Sequence, residues 1–253
     1  MILDRFKLDG KVAIVTGGGR GLGQGMAQGL AEAGADVFLV DLSVAAETQT
    51  MIRAMGRKCE SLAADLSSPA AAETIVGTCR EKLGRVDILV NNAGIIRRAP
   101  VLEFSEKDWD DVINVNLRAV FFLCQAAAKI MVKQGQGGKI INIASMMSFQ
   151  GGILIPSYTA SKSGVMGLTR LLANELAQHG ININAIAPGY MATDNTAPLR
   201  ADKDRSKAIL DRIPAGRWGT PEDLQGVVVF LASEASAYLN GYTIAVDGGW
   251  LAR

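Results

Sequence analysis

Hydrophobic residues in this chain fall into short continuous runs, separated by longer stretches in which apolar positions recur with helical spacing. The runs are VAIVT (12–16), DVFLV (36–40), DILVN (87–91), KIINIA (139–144) and ININAIA (181–187). The stretches 21–34, 70–83, 108–133 and 158–178 place apolar residues near a 3.6-residue period. The pattern therefore predicts strands that alternate with helices.

Alternation of this kind predicts an α/β fold with a doubly wound (Rossmann) parallel sheet of about seven strands. Right-handed crossovers place successive helices on both faces of such a sheet. Strands buried on both faces need no alternation of apolar and polar residues, in agreement with the continuous runs. We expect a single domain over residues 1–253, because no linker or repeat divides the chain.

One segment interrupts the pattern. Residues 193–217, TDNTAPLRADKDRSKAILDRIPAGR, are mostly polar and carry both signs of charge before a helix that we expect near Pro221. Long polar excursions in compact α/β domains often cover a site. We interpret this segment as a substrate lid.

Composition narrows the possible partners. The 253 residues are 49% hydrophobic, enough for one large core, and the net charge is only +1. Without a basic excess, neither nucleic acid nor a membrane surface is favoured. The start of the chain is charged from Asp4 onward and lacks the apolar core of a signal peptide, so we expect a cytoplasmic protein.

Cysteine and histidine usage excludes several chemistries. Cys59, Cys79 and Cys124 are odd in number and widely spaced, which favours reduced, packed thiols over disulfides or a zinc site. His179 is the only histidine. A Ser-His-Asp relay and a multi-histidine metal site are therefore short of residues, and no metal site is predicted.

The first strand runs directly into the glycine-rich turn TGGGRGLG (16–23), which opens a helix. Gly17, Gly21 and Gly23 would let the chain turn tightly and let a pyrophosphate approach the backbone amides at the helix N-terminus. A tight strand-to-helix corner is the alternative explanation of these glycines. The position of the turn favours a dinucleotide.

Asp41 ends the second strand, 18 residues after Gly23. A carboxylate there can accept hydrogen bonds from the ribose hydroxyls of NAD and would repel the 2′-phosphate of NADP. Arg20 argues the other way, because a guanidinium in the turn could pair with a 2′-phosphate. An ordinary strand-end acid is the alternative for Asp41. We expect NAD, with NADP less favoured.

The stretch SYTASKSGV (157–165) places Tyr158 and Lys162 one helical turn apart. A cation beside a phenol stabilises the phenolate and lowers the pKa of the tyrosine, which would make it a usable base. A ring packed under a solvated amine is the plainer alternative.

Taken together, these motifs resemble the short-chain dehydrogenase/reductase family over nearly the whole chain. The TGxxxGxG pattern is met by residues 16–23, NNAG by 91–94, YxxxK by Tyr158 and Lys162, and PG with a following Thr by 188–193. An Asp before an apolar residue, a helical Asn and a Ser after a strand are met by Asp65, Asn116 and Ser145, respectively.

The resemblance implies a catalytic set of Asn116, Ser145, Tyr158 and Lys162. It makes Tyr158 the general base, Lys162 its partner and a ribose ligand, Ser145 a donor to the substrate oxygen, and Asn116 the holder of a relay water, with Asn114 as the alternative. Met191 and Thr193 would hold the carboxamide. The full cofactor-binding set is Gly17, Arg20, Gly21, Leu22, Gly23, Asp41, Asp65, Leu66, Asn92, Ala93, Gly94, Tyr158, Lys162, Pro188, Gly189, Met191 and Thr193.

Local residues indicate the substrate class. Arg97 and, second to it, Arg98 follow NNAG and could bind a carboxylate bidentately, although a surface arginine pair with acidic partners is the alternative. Gln150, near Ser145, would suit a polyol. The candidate substrate residues are Arg97, Arg98, Ser145, Gln150 and Tyr158.

Several longer stretches, among them NNAGIIRR and NIASMMSFQGG, resemble those members of the family that act on deoxy sugar acids. The resemblance implies NAD-dependent interconversion of a hydroxyl and a ketone in the breakdown of pectin-type uronates, and a homotetramer. In similar enzymes the apolar C-terminus, GYTIAVDGGWLAR, packs against a neighbouring subunit. From the residues alone, burial of this C-terminus in the core of its own chain is equally expected.

Two alternatives stay open. One is another reductase of the family, a gluconate 5-dehydrogenase or a 3-oxoacyl carrier-protein reductase; Asp41 argues against NADP and hence against the latter. The other is a dinucleotide-sensing protein without catalysis, which would be expected to lose Tyr158 or Lys162.

Overall fold

The computed structural model describes residues 1–253 and contains one parallel sheet of seven strands in the order β3-β2-β1-β4-β5-β6-β7. The strands are β1 (Val12–Thr16), β2 (Asp36–Asp41), β3 (Cys59–Ala63), β4 (Ile88–Asn91), β5 (Gly138–Ile143), β6 (Ile181–Pro188) and β7 (Thr243–Val246). The order reverses between β1 and β4, where open α/β sheets form their ligand crevice. The predicted fold class is confirmed.

The helices are α1 (Gly21–Glu32), α2 (Ala46–Ala54), α3 (Ala71–Leu83), α4 (Glu106–Ile113), α5 (Ala119–Gln134), α6 (Pro156–Leu176), α7 (Ala197–Ala201), α8 (Lys203–Arg212) and α9 (Gln225–Ala232). On one face of the sheet lie α3, α5 and α6, and on the other α1, α2 and α9.

Alternate residues of each central strand serve two hydrophobic clusters. In β1, Val12 and Ile14 face the α3, α5 and α6 side, whereas Ala13 and Val15 face the α1 and α9 side. Every residue of β1 is buried. The apolar run at 12–16 is therefore continuous because both of its faces need apolar side chains.

Two elements on one side of the sheet were not located from the sequence. The edge strand β3, CESLA, buries only its first residue fully, so its composition lacks the apolar run of a central strand. The short helix α2 buries only Thr48 and Ile52. Both signals are weak for the same reason: an edge element has little apolar surface to bury.

The polar excursion at 193–217 is mostly helical. It contains a 3₁₀ turn at Asp194–Thr196 and the helices α7 and α8, the latter capped by Asp202, whose carboxylate accepts a hydrogen bond from the Arg205 amide at 3.0 Å. Ile209 and Ile213 pack on Met146, Met147 and Trp250. The segment thus docks on the loop after β5 and on the C-terminus.

Helices α4 and α5 form one continuous helix through a π-turn at Asn114–Arg118. By length and composition alone, residues Glu106–Gln134 could cross a membrane, but half of the most apolar window is buried inside the fold. Its apolar side chains pack against α3 and the sheet, as in the core helix of an α/β protein.

Candidate active site

The glycine-rich turn forms a cradle in which side chains at the glycine positions would be strained or would clash. Gly17 and Gly21 have φ angles of +64° and +56°, in the left-handed region that favours glycine. A Cβ on Gly23 would lie 2.0 Å from the Gly17 carbonyl oxygen. Helix α1 begins at Gly21, so its positive end and free amides face the turn. These residues fit the pyrophosphate of a dinucleotide.

Thr16 and Asn92 brace this cradle. The Thr16 hydroxyl accepts hydrogen bonds from the amides of Asn92 and Ala93 at 3.0 and 3.1 Å. The Asn92 side-chain amide donates to the carbonyls of Thr16 and Gly17 at 2.9 and 3.1 Å. Asn92, placed in the cofactor set from its motif, therefore ties the end of β4 to the turn. Thr16 also connects the end of β4 to the turn, although the sequence identified it only as part of the TGxxxGxG motif.

Asp41 lies at the end of β2, beside the glycine-rich turn. Its carboxylate accepts hydrogen bonds from the Gly19 amide at 3.0 Å and the Leu42 amide at 2.8 Å. Arg20 is turned toward the segment 193–217, where its guanidinium pairs with Asp194 at 2.9 Å. Asp41, which favours NAD, and Arg20, which would favour NADP, thus lie in different surroundings.

The remaining candidates on the adenine side lie after β3. Asp65 accepts a hydrogen bond from the Ser67 amide at 2.9 Å, and Leu66 is buried in the core beside it. These contacts fix the loop at the carboxyl end of β3, next to β2.

Asn116 is fully buried within the π-turn, and its side-chain amide is bonded to the backbone of Ile95 and to the Ser161 hydroxyl. It accepts from the Ile95 amide at 2.8 Å and donates to the Ile95 carbonyl at 2.9 Å. Gly94 lies between Asn116 and Lys162: a Cβ there would be 3.3 Å from Asn116 Oδ1 and 3.7 Å from Lys162 Nζ. The structure thus brings Asn116, rather than Asn114, to the lysine.

Ser145 follows β5 and is connected to α6 through Ser148. The Ser148 hydroxyl donates to the Lys162 carbonyl at 2.7 Å and accepts from the Ser145 amide at 3.3 Å. The Ser145 hydroxyl accepts from the Met147 amide at 3.1 Å. Ser148 was missed from the sequence, although a serine three residues after a strand-end serine is a common local cap.

Tyr158 and Lys162 share one face of α6, as their spacing predicts. Lys162 Nζ lies 5.8 Å from the centre of the Tyr158 ring and donates to the Ile143 carbonyl at 2.6 Å. The lysine is 4% exposed. Its ammonium group is thus held under the phenol by the end of β5.

The pKa of Tyr158 does not follow the sequence-based expectation. Burial raises the pKa of the phenol above its usual value of 10, while the Ser145 hydroxyl and the charge of Arg98 favour the phenolate. Burial also lowers the pKa of Lys162 to about 8. In these surroundings desolvation outweighs the attraction expected from Lys162, whose ammonium bonds the Ile143 carbonyl instead.

The residues after β6 form the other wall of the crevice. Gly189 packs so tightly that a Cβ would lie 2.6 Å from the Asp247 Cα. The Met191 carbonyl accepts hydrogen bonds from the Thr193 amide at 3.0 Å and the Thr196 hydroxyl at 2.6 Å. Thr193 faces the glycine-rich turn, with its methyl group 3.8 Å from a Cβ placed on Gly21. Pro188, Gly189, Met191 and Thr193 thus border the cradle.

A dinucleotide cradle and a Ser-Tyr-Lys set at the carboxyl edge of one sheet agree with the comparisons to known proteins. A sequence model of the family adh_short_C2, described as enoyl-(acyl carrier protein) reductase, matches residues 17–251. The 2-dehydro-3-deoxy-D-gluconate 5-dehydrogenases of Dickeya dadantii and Escherichia coli are 66% and 64% identical over 253 residues, covering 100% of both chains in each case. The chain is a short-chain dehydrogenase/reductase.

Solved structures agree with this family assignment. A gluconate 5-dehydrogenase from Burkholderia cenocepacia, in complex with NADP and tartrate, is 40% identical and has a TM-score of 0.95, with 100% of both chains covered. As a member of the family, the protein is an NAD(P)-dependent oxidoreductase that acts on CH–OH groups.

The structure gives the two candidate substrate arginines of this dehydrogenase different surroundings. Arg97 lies against α4, where Nε is 3.4 Å from Asp108 and Nη2 is 3.6 Å from Asp111. Its charge is thus shared between two carboxylates of the protein. Arg98 has no acidic partner and donates from Nη2 to the Asn195 carbonyl at 3.1 Å.

Gln150 is not brought to the catalytic groups by any hydrogen bond. Its side-chain oxygen accepts a hydrogen bond of 3.4 Å from Arg212 on α8. The amide therefore connects the loop after β5 to the lid segment, and the structure gives no support for the predicted contact with a polyol.

We predict that Lys162→Met changes how stability depends on pH. The folded chain releases the lysine proton near pH 8, whereas the unfolded chain holds it to about 10.5. Between these values the unfolded state binds more protons, so the free energy of unfolding of the wild type rises with pH relative to the variant. The full rise should be about 3 kcal/mol.

Urea unfolding of both proteins at several pH values measures this difference. Lys133→Met, at an exposed position near the end of α5, is the matched control and should leave the wild-type slope unchanged. A wild-type curve parallel to that of Lys162→Met from pH 8 to 10.5 would contradict the assignment.

Proposed function

We propose that this protein is an NAD-dependent dehydrogenase that interconverts a secondary hydroxyl and a ketone on a deoxy sugar acid of the 2-dehydro-3-deoxy-D-gluconate type. The observation that carries the proposal is Arg98, a guanidinium without an acidic partner whose charge reaches the Tyr158 phenol. A substrate that carries both a carboxylate and a reacting hydroxyl matches this arrangement. The relatives with 66% and 64% identity bear the name of this activity.

In the oxidation direction, the Tyr158 phenolate would take the proton of the substrate hydroxyl as a general base. The bound dinucleotide supplies the nicotinamide ring that accepts the hydride. Ser145 lies beside the phenol and would donate a hydrogen bond to the substrate oxygen, which stabilises the charge that develops there. In the reverse direction Tyr158 returns the proton as a general acid.

Lys162 would release and take up a proton next to Tyr158. Its buried ammonium lies under the phenol and next to Gly94 and Asn116. Because its pKa is about 8, the lysine can release a proton near neutral pH. The relay water expected at Asn116 would use the backbone around the π-turn, since both N–H groups of the side-chain amide are donated, to Ile95 and Ser161, and its oxygen already accepts from the Ile95 amide.

NAD is the proposed cofactor because of Asp41. Its carboxylate is fixed by the amides of Gly19 and Leu42 at the position expected for the adenine ribose, and a 2′-phosphate would be repelled there. Arg20 forms an exposed ion pair with Asp194, so binding of a 2′-phosphate by Arg20 would require that contact to break. NADP is the alternative, since the gluconate 5-dehydrogenase relative binds it.

Assembly into a homotetramer and a cytoplasmic location are predictions that come from the sequence alone. The use of residues 193–217 as a lid is also a proposal, supported by the two contacts that join this segment to Arg20 and Arg98.

The variant Tyr158→Phe tests the reaction. We expect the fold and NAD binding to persist and kcat to fall by about 10²–10⁴-fold, because the general acid/base is lost. NADH absorbance measured over 2-dehydro-3-deoxy-D-gluconate, 2-deoxy-D-gluconate, gluconate and neutral polyols identifies the substrate. Tyr242→Phe, an exposed tyrosine near β7, is the control. Turnover of Tyr158→Phe close to that of Tyr242→Phe would refute the role.

The cofactor proposal predicts the behaviour of Asp41→Ser. Without the carboxylate, kcat/KM with NAD should fall about tenfold or more while kcat/KM with NADP rises, because one repulsive charge is removed. Steady-state rates with both cofactors provide the test. Asp36→Ser changes an acid at the other end of β2 and should leave the ratio unaltered. A wild type that prefers NADP would reject the proposal.

The carboxylate proposal predicts different effects for the two arginines. Arg98→Ala should raise KM for sugar acids by about tenfold to a hundredfold, with little change for neutral polyols, because a charge-assisted pair is lost. Arg97→Ala should change KM little, since Arg97 contacts Asp108 and Asp111. Equal effects of Arg98→Ala on acidic and neutral substrates, or a larger effect of Arg97→Ala, would overturn this assignment.

A further inference from the structure

A cavity of about 680 Å³ opens at the amino-terminal edge of the sheet, on the opposite side from the catalytic residues. Lys11, Asp87, Lys139 and Asn182, which lie at the starts of β1, β4, β5 and β6, form its floor. Its volume falls in the range of small-molecule sites, about 300–1,000 Å³. The active site makes no use of this cavity.

Lys139 is the unusual residue in the cavity. The side chain is only 8% exposed, and its ammonium donates one hydrogen bond, to Asn182 Oδ1 at 2.8 Å, while forming no salt bridge. An ammonium group has three N–H donors, and a buried charge without a counter-charge is costly. Burial accordingly lowers the pKa of Lys139. The group lines a space large enough to hold its missing partner.

Neighbouring acids do not supply that partner. Asp87 is bonded twice by Arg85 at 2.7 Å and once by the Val12 amide at 2.9 Å, so its charge is already paired with a guanidinium. Glu234 is exposed and acts on Lys139 only through space. Lys11 also lines the cavity and forms no salt bridge, and the only histidine, His179, lies in its wall.

We infer that this cavity is a second ligand site, which takes a compact anion bearing a carboxylate or phosphate group. The anion would accept hydrogen bonds from the Lys139 ammonium and face Lys11 and His179. Asn182 and Asn240 also line the cavity; their side-chain amides are bonded to the protein and shape its wall. Tyr238, which is fully exposed at the same cavity, offers an aromatic surface at its entrance.

Hydrogen exchange of the NADH-saturated protein tests this inference, because the saturated cradle at Gly17–Gly23 cannot bind the probe, and the effect of Lys139→Met separates the cavity from the substrate site, where the proposed function places sugar acids. The probes are inorganic phosphate and D-gluconate, which separate a phosphate from a carboxylate ligand, with glycerol as the neutral control. At millimolar concentrations, at least one anion should slow exchange in segments 135–142 and 177–184, and glycerol should not. Lys139→Met should require about tenfold more anion for the same protection.

Lys133→Met removes an exposed lysine near the cavity and should behave as the wild type. Lys11→Met provides a second, milder variant should Lys139→Met not fold. The rate of sugar-acid oxidation should be the same in all three variants, which separates this site from the active site. No protection by either anion, or protection that Lys139→Met and Lys11→Met leave intact, would overturn the inference.

Discussion

A buried ammonium group joins the two elements that carry the catalytic hydroxyls. Lys162 on α6 donates to the carbonyl of Ile143 at 2.6 Å, and Ser145 follows Ile143 by two residues. The second link runs from the Lys162 carbonyl through Ser148 to the amide of Ser145. The side chain of Lys162 is thus bonded to the end of β5, and its backbone carbonyl is connected to Ser145 through Ser148. These two links fix the spacing between Ser145 and Tyr158 before any substrate binds. Such preorganisation is where most electrostatic catalysis originates.

The same burial that fixes this geometry sets the protonation of the site. Desolvation disfavours both charged forms, so the pKa of the Tyr158 phenol rises and that of the Lys162 ammonium falls to about 8. A base at this position therefore needs help from other charges and donors. Ser145 and Arg98 provide it, and Arg98 would lose part of that effect where a substrate carboxylate neutralises it. On the proposed function, substrate charge and proton transfer would thus be coupled through Arg98.

The sequence predicted the central sheet and the catalytic edge because both depend on local, repeated signals. The apolar runs at 12–16 and 139–144 must serve two cores, and the turn at 17–23 tolerates only glycine at three positions. Edge elements such as β3 lack that signal. The surroundings of Arg97 could not be predicted for a different reason: the acids that contact Arg97 belong to α4, and only the position of that helix brings Asp108 and Asp111 to it. An ion pair between two different elements produces no repeating pattern from which it could be predicted.

The start of the lid segment is where the two halves of the crevice meet. Asp194 pairs with Arg20 from the dinucleotide turn, and the next residue, Asn195, accepts from Arg98 on the substrate side. The first contact is between two exposed groups and is worth about 1 kcal/mol or less. A weak contact of this kind can exchange partners as ligands bind, whereas Ile209 and Ile213 of the α8 region are buried in an apolar cluster. The segment therefore has one fixed end and one adjustable end, and the adjustable end lies between cofactor and substrate. Closure of the crevice would then need only the exchange of two polar contacts, with no change in the packed core.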